Sequence, residues 1–490
     1  MHSYIAVDLG AGSGRVILGE LLPESLRLTD LWRFHSPMRM QDEHLRWSTA
    51  EILREILRGL SSMGPRIDAA RSIGVDTWGV DYGLIDARGT LLEEPIAYRD
   101  PRTQGVMEQV FQVVPRDEIY RRTGIQMMPI NTLFQWYAHA HSGRWPRAAH
   151  RLLMMPDLFH HMLCGSTVGE YTNATTSQML DLKARDWDRD LCRRLGLPDE
   201  VLPPLVQAGS VLGVLRESLQ KEHGLPPLRV VAPATHDTAS AVVGTPLSSN
   251  EAFISSGTWS LVGVETEAPL VTQVSFAQNF TNEGGVLGTN RLLKNVTGMW
   301  ILESCRKVWK EKGTDFEHEE MQRRMAQALP FQGLIAPDDP AFFNPDDMVE
   351  AVRGVLSRTG QSDLSDPAVL SRIILESVAV RYAAVLRTIE RLRGHRLERV
   401  RIIGGGCQND FLNQATADAS GLEVLAGPVE ATAIGSIVVQ AIADGRFESL
   451  AKAREYVART FPARRFVPRP DSRWQESLER QEKMEVRSTP

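Results

Sequence analysis

Residues 4–18 read YIAVDLGAGSGRVIL, an apolar run that ends in Asp8, then a glycine-rich turn, then a second apolar run. Glycines let backbone amides approach an anion closely, and a carboxylate at the end of a strand can hold a hydrated metal ion. The second run, residues 16–18, is short and β-branched, which is typical of a strand rather than a helix. The stretch therefore predicts a β-hairpin with a phosphate and metal site at its turn.

Two familiar glycine motifs do not fit this turn. Gly10, Gly12 and Gly14 miss the GxGxxG spacing of dinucleotide-binding folds because Arg15 stands at the last required position, and no Gly-Lys-Ser/Thr follows as in a P-loop. The alternative is an ordinary tight turn between two core strands, since glycine-rich hairpins are common. The first hairpin alone leaves both explanations open.

A second stretch of the same kind begins halfway along the chain. Residues 252–263 read AFISSGTWSLVG, again a strand, a small polar turn and a strand. Two such hairpins at the heads of two halves indicate a duplicated architecture with a cleft between the halves. We therefore expect an N-terminal domain over residues 1–246, a C-terminal domain over 247–467 and a peripheral tail over 468–490.

The composition is that of an ordinary globular protein. The chain has 490 residues, of which 42% are hydrophobic and 24% are charged, enough for two or three domains at about 150 residues each. A net charge of −6 gives no electrostatic reason to expect nucleic acid or an anionic membrane as a partner. No apolar run approaches the roughly 20 residues of a membrane span. We expect a cytoplasmic protein that is a monomer or a weak homodimer.

Three further segments end apolar strands in polar or glycine-rich turns. Residues 72–81 read SIGVDTWGVD, residues 228–241 read LRVVAPATHDTASA, and residues 400–409 read VRIIGGGCQN. In the second segment small residues begin a helix directly after Asp237, so the helix dipole would keep this carboxylate ionised. An ionised carboxylate at the end of a strand is able to accept a proton. The alternative is that Asp237 only caps the helix, because aspartate is a favoured N-cap residue.

Together these motifs resemble the sugar kinase, Hsp70 and actin superfamily, and within it the chain is similar to the FGGY carbohydrate kinases. The resemblance runs in order along residues 4–467. Besides the two hairpins, it rests on residues 74–81, 97–100, 171–176, 236–241, 281–285 and 404–409. The implied fold is α/β, with two ribonuclease-H-like domains of the actin and hexokinase type and a catalytic cleft between them.

The resemblance implies an ATP-dependent kinase that acts on a ketose, with Mg²⁺ as the metal. The segments are similar to those of members that phosphorylate L-rhamnulose at its 1-hydroxyl, giving L-rhamnulose 1-phosphate and ADP in rhamnose breakdown. Phosphoryl transfer needs positioning, neutralised phosphate charge and a base, so the residues agree with this chemistry. Two alternatives stay open: a kinase for another ketose such as fuculose or xylulose, and a nucleotide-binding regulator of the same superfamily without turnover.

The resemblance also implies roles for individual residues. Asp237 would be the catalytic base, and Asp8 would hold Mg²⁺ through water. The residues expected at the nucleotide are Ala11, Gly12, Ser13, Gly14, Arg15, Thr258, Glu303, Gly404, Gly405 and Gly406. Those expected at the sugar are Trp78, Gly79, His236, Asp237, Thr238 and Asn295. Of these, Glu303 stands where better-known members of the family carry an amide.

Most of these roles have a structural alternative. Asp8 could be a turn residue at a strand end, and the glycines of residues 404–406 could form an ordinary strand-to-helix turn. Trp78 could belong to the core instead of forming a flat apolar wall for the sugar. Asp76 and Asp81, the polar candidates around Trp78, could simply satisfy backbone amides.

Overall fold

The computed structural model describes residues 2–257, 259–314, 318–343 and 345–488. Its internal contacts divide the chain into two compact units. Unit 1 comprises Met1–Pro246, Glu265–Leu292 and Glu430–Phe461, and unit 2 comprises Leu247–Val264, Leu293–Val429 and Pro462–Pro490. The two units interleave along the sequence, whereas the domains expected from the sequence are continuous segments. Those domain boundaries stay a prediction.

Short strands and helices alternate along most of the described chain. The strands are β1 His2–Leu9, β2 Ser13–Leu21, β3 Leu26–His35, β4 Met38–Gln41, β5 His44–Trp47, β6 Ala70–Thr77, β7 Tyr82–Ile85, β8 Arg151–Met154, β9 Gly169–Glu170, β10 Leu180–Asp181, β11 Asp186–Trp187, β12 Leu205–Val206, β13 Val211–Val214, β14 Arg229–Val231, β15 Glu251–Ser256, β16 Trp259–Thr266, β17 Thr281–Gly284, β18 Asn290–Thr297, β19 Arg399–Ile403, β20 Glu423–Ala426 and β21 Arg464–Phe466. The helices are α1 Thr49–Ser61, α2 Val106–Val113, α3 Arg116–Thr123, α4 Thr132–His141, α5 Met155–Cys164, α6 Tyr171–Thr176, α7 Arg189–Arg194, α8 Glu217–His223, α9 Asp237–Val243, α10 Gln273–Ala277, α11 Trp300–Glu311, α12 His318–Gln327, α13 Met348–Arg358, α14 Pro367–Arg393, α15 Asp410–Ser420, α16 Ala431–Ala443, α17 Leu450–Thr460 and α18 Ser472–Ser488.

The stretch at residues 4–18 forms the predicted hairpin. β1 pairs antiparallel with β2, with Asp8 opposite Arg15 across the pair. β1 also pairs in parallel with β6, so it lies inside a six-stranded sheet of order β13-β14-β6-β1-β2-β3. The first sheet thus joins an antiparallel hairpin to parallel strands, and the end of β1 is an interior position of that sheet.

β1 is apolar over residues 4–7 and at Leu9 because both faces of its sheet are covered. Side chains alternate between the two faces of a strand, so neighbours in sequence enter different cores. Tyr4 and Ala6 belong to the apolar cluster that contains α9 and α16. Ile5, Val7 and Leu9 belong to the cluster that contains α1 and α5. Burial on both faces makes β1 a fixed element on which Asp8 is placed.

The second sheet repeats the strand pairing of the first. In unit 1, the pairs are β1–β2 antiparallel, β1–β6 parallel, β6–β14 parallel and β14–β13 antiparallel. In unit 2, the corresponding pairs are β15–β16 antiparallel, β15–β19 parallel, β19–β20 parallel and β20–β21 antiparallel. The duplication predicted from the two hairpins is therefore confirmed.

Helices complete unit 2 near its C-terminal end. Helix α14 is capped by the side chain of Asp366 and stops at Gly394, whose φ is +75°. The terminal segment, expected to pack peripherally, forms α18, in which Trp474 and Leu478 are buried. None of the described helices is long and apolar enough to span a membrane.

Two glycines let α9 and α16 approach each other at backbone distance. A Cβ at Gly435 in α16 would lie 1.8 Å from the carbonyl oxygen of Ser240 in α9. A Cβ at Gly244, just after α9, would lie 2.1 Å from the carbonyl oxygen of Ala431. Neither glycine has a positive φ, so close packing rather than backbone conformation requires them. This contact fixes α9, the helix that begins at Asp237.

We expect Gly435→Ala to destabilise the protein, although alanine in a helix is ordinarily favoured over glycine by about 1 kcal/mol. The new methyl group overlaps a backbone oxygen, and overpacking of this kind costs typically about 1–3 kcal/mol of unfolding free energy. The measurement is the Tm in a calorimetric scan. Gly354→Ala in α13 is the control, because a Cβ there meets no atom within 4 Å. A Tm for Gly435→Ala equal to that of Gly354→Ala would contradict the close contact.

Candidate active site

Three carboxylates lie at the carboxyl ends of neighbouring strands in the first sheet. Asp8 is near the end of β1, and Asp76 on β6 is its partner in register. Asp237 follows β14 and begins α9. The amide of Thr77 donates to the carbonyl of Thr235 at 2.9 Å, which continues the strand alignment towards Asp237. The sheet topology thus brings the three acids to the edge where α/β proteins place their ligands.

Asp76 is the most deeply buried of the three. Among the described residues, neither of its carboxylate oxygens has a hydrogen-bond partner of ordinary geometry. Burial raises the pKa of Asp76 well above its usual range, Asp8 and Asp237 raise it further, and Arg15 opposes the rise. The proposal that Asp76 satisfies backbone amides is therefore wrong. A buried carboxyl with unused oxygens is suited to a ligand or a shared proton.

Arg15 is held by two acids of unit 1. Its guanidinium forms ion pairs with Asp8 and with Glu430, the residue before α16. Arg33 also lies 3.6 Å from Glu430. Arg15 was predicted to supply positive charge to phosphates, and in the structure that charge is shared with Asp8 and Glu430. Sequence reasoning missed Glu430 because it lies 415 positions from Arg15.

The glycines of the first turn are required for different reasons. A Cβ at Gly12 would meet no atom within 4 Å, and the neighbouring Ser13 is exposed. A Cβ at Gly14 would lie 2.4 Å from the ring of Phe34, so packing against β3 explains that glycine. Ala11 is half-buried beside the open part of the turn. The backbone that a phosphate can approach is therefore at Gly12 and Ser13.

The Gly404–Gly406 turn in unit 2 likewise contains glycines that the local structure requires and one glycine with open space beside it. Gly404 has a φ of +78°, and a Cβ at Gly406 would lie 2.0 Å from the hydroxyl of Ser256 at the end of β15. Both glycines are thus explained by the backbone turn and its packing against β15. A Cβ at Gly405 would meet no atom within 4 Å. Gly405 is the residue of this turn that a ligand can approach without displacing protein atoms.

Three other predicted ligand contacts, Thr258, Asn295 and Glu303, lie in the second half of the chain. Thr258 lies outside the described residues. Asn295 is half-buried on β18. Glu303 lies in the first turn of α11, where its side chain is 54% exposed and pairs with Arg306 at 3.1 Å. Ligand contacts for these three residues stay predictions.

Trp78 lies mainly in the core. Its side chain is only 6% exposed, and its ring packs on Trp47 with centroids 4.2 Å apart. The two indole N–H groups donate to one carboxylate oxygen of Asp81, at 2.7 Å from Trp47 and 3.0 Å from Trp78. Asp81 therefore accepts hydrogen bonds from two indole N–H groups and not from backbone amides. At Gly79 a Cβ would lie 2.9 Å from the hydroxyl of Thr176, so packing alone explains that glycine.

His236 and Asp237 belong to a network of charged groups. His236 Nε2 lies 3.4 Å from Asp237 Oδ1, and His236 Nδ1 lies 3.2 Å from Glu283 Oε2. Arg291 contacts both Glu283, at 3.1 Å, and His236 Nδ1, at 3.3 Å. His236, Glu283 and Arg291 are buried, whereas the side chain of Asp237 is 31% exposed. Asp237 is thus the member of the network that a ligand can reach.

Burial and charged neighbours both act on the pKa of Asp237. Burial raises the pKa of Asp237, His236 opposes the rise, and Asp8 adds to it. The dipole of α9, a helix of only seven residues, does not reverse this direction. Asp237 is the first residue of α9 and follows the N-cap His236, and its Oδ1 accepts hydrogen bonds from the amide and hydroxyl of Thr238. A raised pKa brings a carboxylate closer to the proton affinity that a general base needs.

A single buried carboxylate fixes the loop before Asp237. Glu170 Oε2 accepts hydrogen bonds from the amide and hydroxyl of Thr172 and from the amide and hydroxyl of Thr235. The Thr172 hydroxyl in turn accepts a hydrogen bond from the backbone amide of His236 at 3.3 Å. Sequence reasoning missed Glu170, which stands directly before a segment that carried the resemblance. It missed Glu283 and Arg291 as well, although Glu283 lies in another such segment.

Comparison with known proteins settles the family. The N-terminal domain model of the FGGY family of carbohydrate kinases matches residues 3–244, and its C-terminal domain model matches residues 252–443. The chain belongs to this family. The rhamnulokinase of Bacteroides thetaiotaomicron is 42% identical over 476 residues, which is 96% of this chain and 97% of the relative. The rhamnulokinase of Bacillus subtilis is 36% identical over 467 residues, covering 95% of each chain.

Solved structures show the same fold for this FGGY kinase. Ligand-bound xylulose kinase from Lactobacillus acidophilus superposes with a TM-score of 0.82 at 14% identity, covering 99% of this chain and 98% of that chain. Glycerol kinase from Plasmodium falciparum with ADP gives a TM-score of 0.75 at 14% identity, covering 100% and 99%. These likenesses concern the fold alone, and they confirm the predicted two-domain α/β class.

We expect Asp76→Asn to stabilise the ligand-free protein at alkaline pH. Because the pKa of Asp76 is raised in the folded state, its ionisation opposes folding by up to about 1.4 kcal/mol for each pH unit between the unfolded and folded pKa. The wild type therefore loses stability as the pH rises through that window, and asparagine does not. The Tm of the variant should exceed the wild-type value at pH 8, with a difference that shrinks towards pH 4.

In the control variant, the Tm at alkaline pH should change in the opposite direction. Asp86 is a half-buried turn residue whose pKa is lowered by hydrogen bonds from the Thr90 and Arg88 amides. Its ionised form favours folding, so Asp86→Asn should lower the Tm at pH 8 and not at pH 3. A Tm for Asp76→Asn at or below the wild-type value throughout the range would show that the buried carboxyl does not oppose folding.

Proposed function

We propose that the protein is an ATP-dependent kinase that phosphorylates L-rhamnulose at its 1-hydroxyl, giving L-rhamnulose 1-phosphate and ADP. The observation that carries the proposal is the accessible carboxylate of Asp237 at the sheet edge where Asp8 and Asp76 end their strands. Identity of 42% to a rhamnulokinase over 96% of the chain supports L-rhamnulose over the other ketoses. The cytoplasmic location and the monomeric or weakly dimeric state stay predictions from the sequence.

In this proposal Asp237 is the general base. Its carboxylate takes the proton of the sugar 1-hydroxyl while that oxygen bonds to the γ-phosphorus of ATP. The bond from the γ-phosphorus to the bridging oxygen breaks, and ADP leaves with the electron pair. His236 Nε2 lies 3.4 Å and the Thr238 hydroxyl lies 3.1 Å from Asp237 Oδ1. Both side chains can therefore orient the base while they contact sugar hydroxyls. Fixed orientation of this kind is a large part of phosphoryl-transfer catalysis.

The acids at the ends of β1 and β6 fit a hard divalent cation such as Mg²⁺. Asp8 and Asp76 offer carboxylate oxygens, and those of Asp76 have no hydrogen-bond partner of ordinary geometry among the described residues. Within the same part of the chain, no three His, Cys, Asp or Glu side chains are grouped to hold a metal by themselves. Mg²⁺ commonly keeps several waters and uses one or two carboxylates together with substrate phosphates. When bound, it neutralises phosphate charge, and Asp8 would hold it through water.

The remaining positions are proposed nucleotide and sugar contacts. The open backbone at Gly12 and Ser13 suits the β- and γ-phosphates, and Gly405 offers the same openness to adenosine. Arg15 carries positive charge beside Asp8. The other proposed contacts are Ala11, Gly14, Thr258, Glu303, Gly404 and Gly406 for the nucleotide and Trp78, Gly79 and Asn295 for the sugar.

The test of the proposal is a panel of ketoses. ADP release is measured with ATP, Mg²⁺ and each of L-rhamnulose, L-fuculose and D-xylulose, and the product is identified by ³¹P NMR. We expect kcat/KM for L-rhamnulose to exceed the others by at least about tenfold, because a site built to hydrogen-bond a hydroxyl rejects its epimer. A preference for fuculose or xylulose would assign another ketose. Absence of sugar-dependent ADP release would reject the kinase.

We expect Asp237→Asn to bind ATP normally and to lose turnover. Removing the base should lower kcat by about 10²- to 10⁴-fold, because the amide cannot take the hydroxyl proton. Asp117→Asn is the matched control, an exposed aspartate in the first turn of another short helix, and it should leave kcat unchanged. A folded Asp237→Asn enzyme with near-normal kcat would eliminate Asp237 as the base.

A further inference from the structure

We propose that Glu283 and Arg291 are positioning residues that fix the His236 ring, so that its Nε2 faces Asp237 and the bound ketose. This inference rests on the proposed kinase function and adds to it the part of unit 1 that holds the sugar-side histidine in place.

The contacts of the pair converge on one nitrogen of the ring. His236 Nδ1 lies 3.2 Å from Glu283 Oε2 and 3.3 Å from Arg291 Nη2. The opposite nitrogen, Nε2, lies 3.4 Å from Asp237 Oδ1. The second side-chain torsion of a free histidine is broad and has two opposed orientations. Of these two contacts to Nδ1, the one from Arg291 has hydrogen-bond geometry, and Glu283 Oε2 lies close to Nδ1 and to Arg291 as an ion-pair partner. Together they favour the ring orientation in which Nε2 faces the base.

The pair is itself rigidly held. Arg291 Nε donates to the carbonyl of Gly284 at 3.0 Å, and the side chains of Arg291 and Glu283 are 1% and 6% exposed. Burial would raise the pKa of Glu283, but Arg291 and His236 outweigh it and lower that pKa, so the carboxylate is ionised. The charged groups that face the ring are therefore Asp237, Glu283 and Arg291, and the His236 amide is bound by Thr172.

Stability alone does not account for this arrangement. Buried ion pairs are often no better for stability than apolar residues of the same volume, because both charges lose their hydration. Arg291 Nη1 is buried and has no hydrogen-bond partner among the described residues. A pair that only filled space would not need this charge. The contact of Arg291 with His236, the histidine beside Asp237, explains why a charged pair is present here.

The inference is tested by a double-substitution cycle in the full-length enzyme, with L-rhamnulose, ATP and Mg²⁺. We expect Glu283→Gln to lower kcat/KM for the sugar by at least about tenfold while KM for ATP changes by less than about twofold. In a His236→Ala background the same substitution should change kcat/KM by less than about twofold, because the carboxylate acts through the ring. Arg291→Lys, which keeps the charge but not the planar fork, should behave in the same way.

Stability effects are separated by a control and by a second readout. Glu251→Gln removes another buried carboxylate paired with an arginine, Arg401, at 2.6 Å in unit 2, and should lower the Tm without changing kcat/KM per folded enzyme. The ring ¹⁵N shifts of His236 report its tautomer directly and need no substrate. We expect one tautomer in the wild type and a mixture in Glu283→Gln.

The outcomes distinguish the inference from the function on which it rests. A Glu283→Gln effect equally large with and without His236 would overturn the inference, as would unchanged kcat/KM and unchanged ring shifts in a folded variant. If Glu283→Gln does not fold, Arg291→Lys takes its place in the same cycle. A wild-type enzyme that does not phosphorylate L-rhamnulose would overturn the proposed function instead, and the ring shifts would still test the positioning.

Discussion

The parallel alignment of β1, β6 and β14 is the constraint on which the site depends. It places Asp8 and Asp76 in register and carries Asp237 to the same edge, so three acids share one region of low dielectric. Burial, and after it the mutual repulsion of the acids, raises the pKa of Asp76 and of Asp237, and Arg15 and His236 oppose the rise. Like charges held together in this way are typical of a site that binds a cation or moves a proton.

The surroundings of Asp237 show how a fold keeps such a group in place. The helix that begins with Asp237 is packed at backbone distance against α16, and its preceding loop is bound by the buried carboxylate of Glu170. On the side away from Asp237, the imidazole ring of His236 is held by Glu283 and Arg291. Each of these supports involves buried polar or backbone groups with little freedom to relax, which suits a proton-transfer geometry.

The two glycine-rich turns contain glycines of two kinds. Gly14 and Gly406 are required because a side chain there would overlap Phe34 or Ser256, whereas Gly12 and Gly405 have open space beside them. A motif counted from the sequence therefore overstates the number of positions that serve a ligand. The open positions are the ones at which phosphate or adenosine can approach the backbone.

Local patterns in the sequence were enough to determine the hairpins, the duplicated architecture and the acids at the strand ends. These depend on interactions between neighbours in the chain, such as the apolar run of β1 and the small residues after Asp237. Tertiary structure alone decided that Trp78 lies against Trp47, that Arg15 pairs with Glu430, and that Arg291 reaches His236. Those contacts join residues from separate parts of the chain. No local periodicity encodes them, because burial and charge pairing are settled only when the sheets and helices pack.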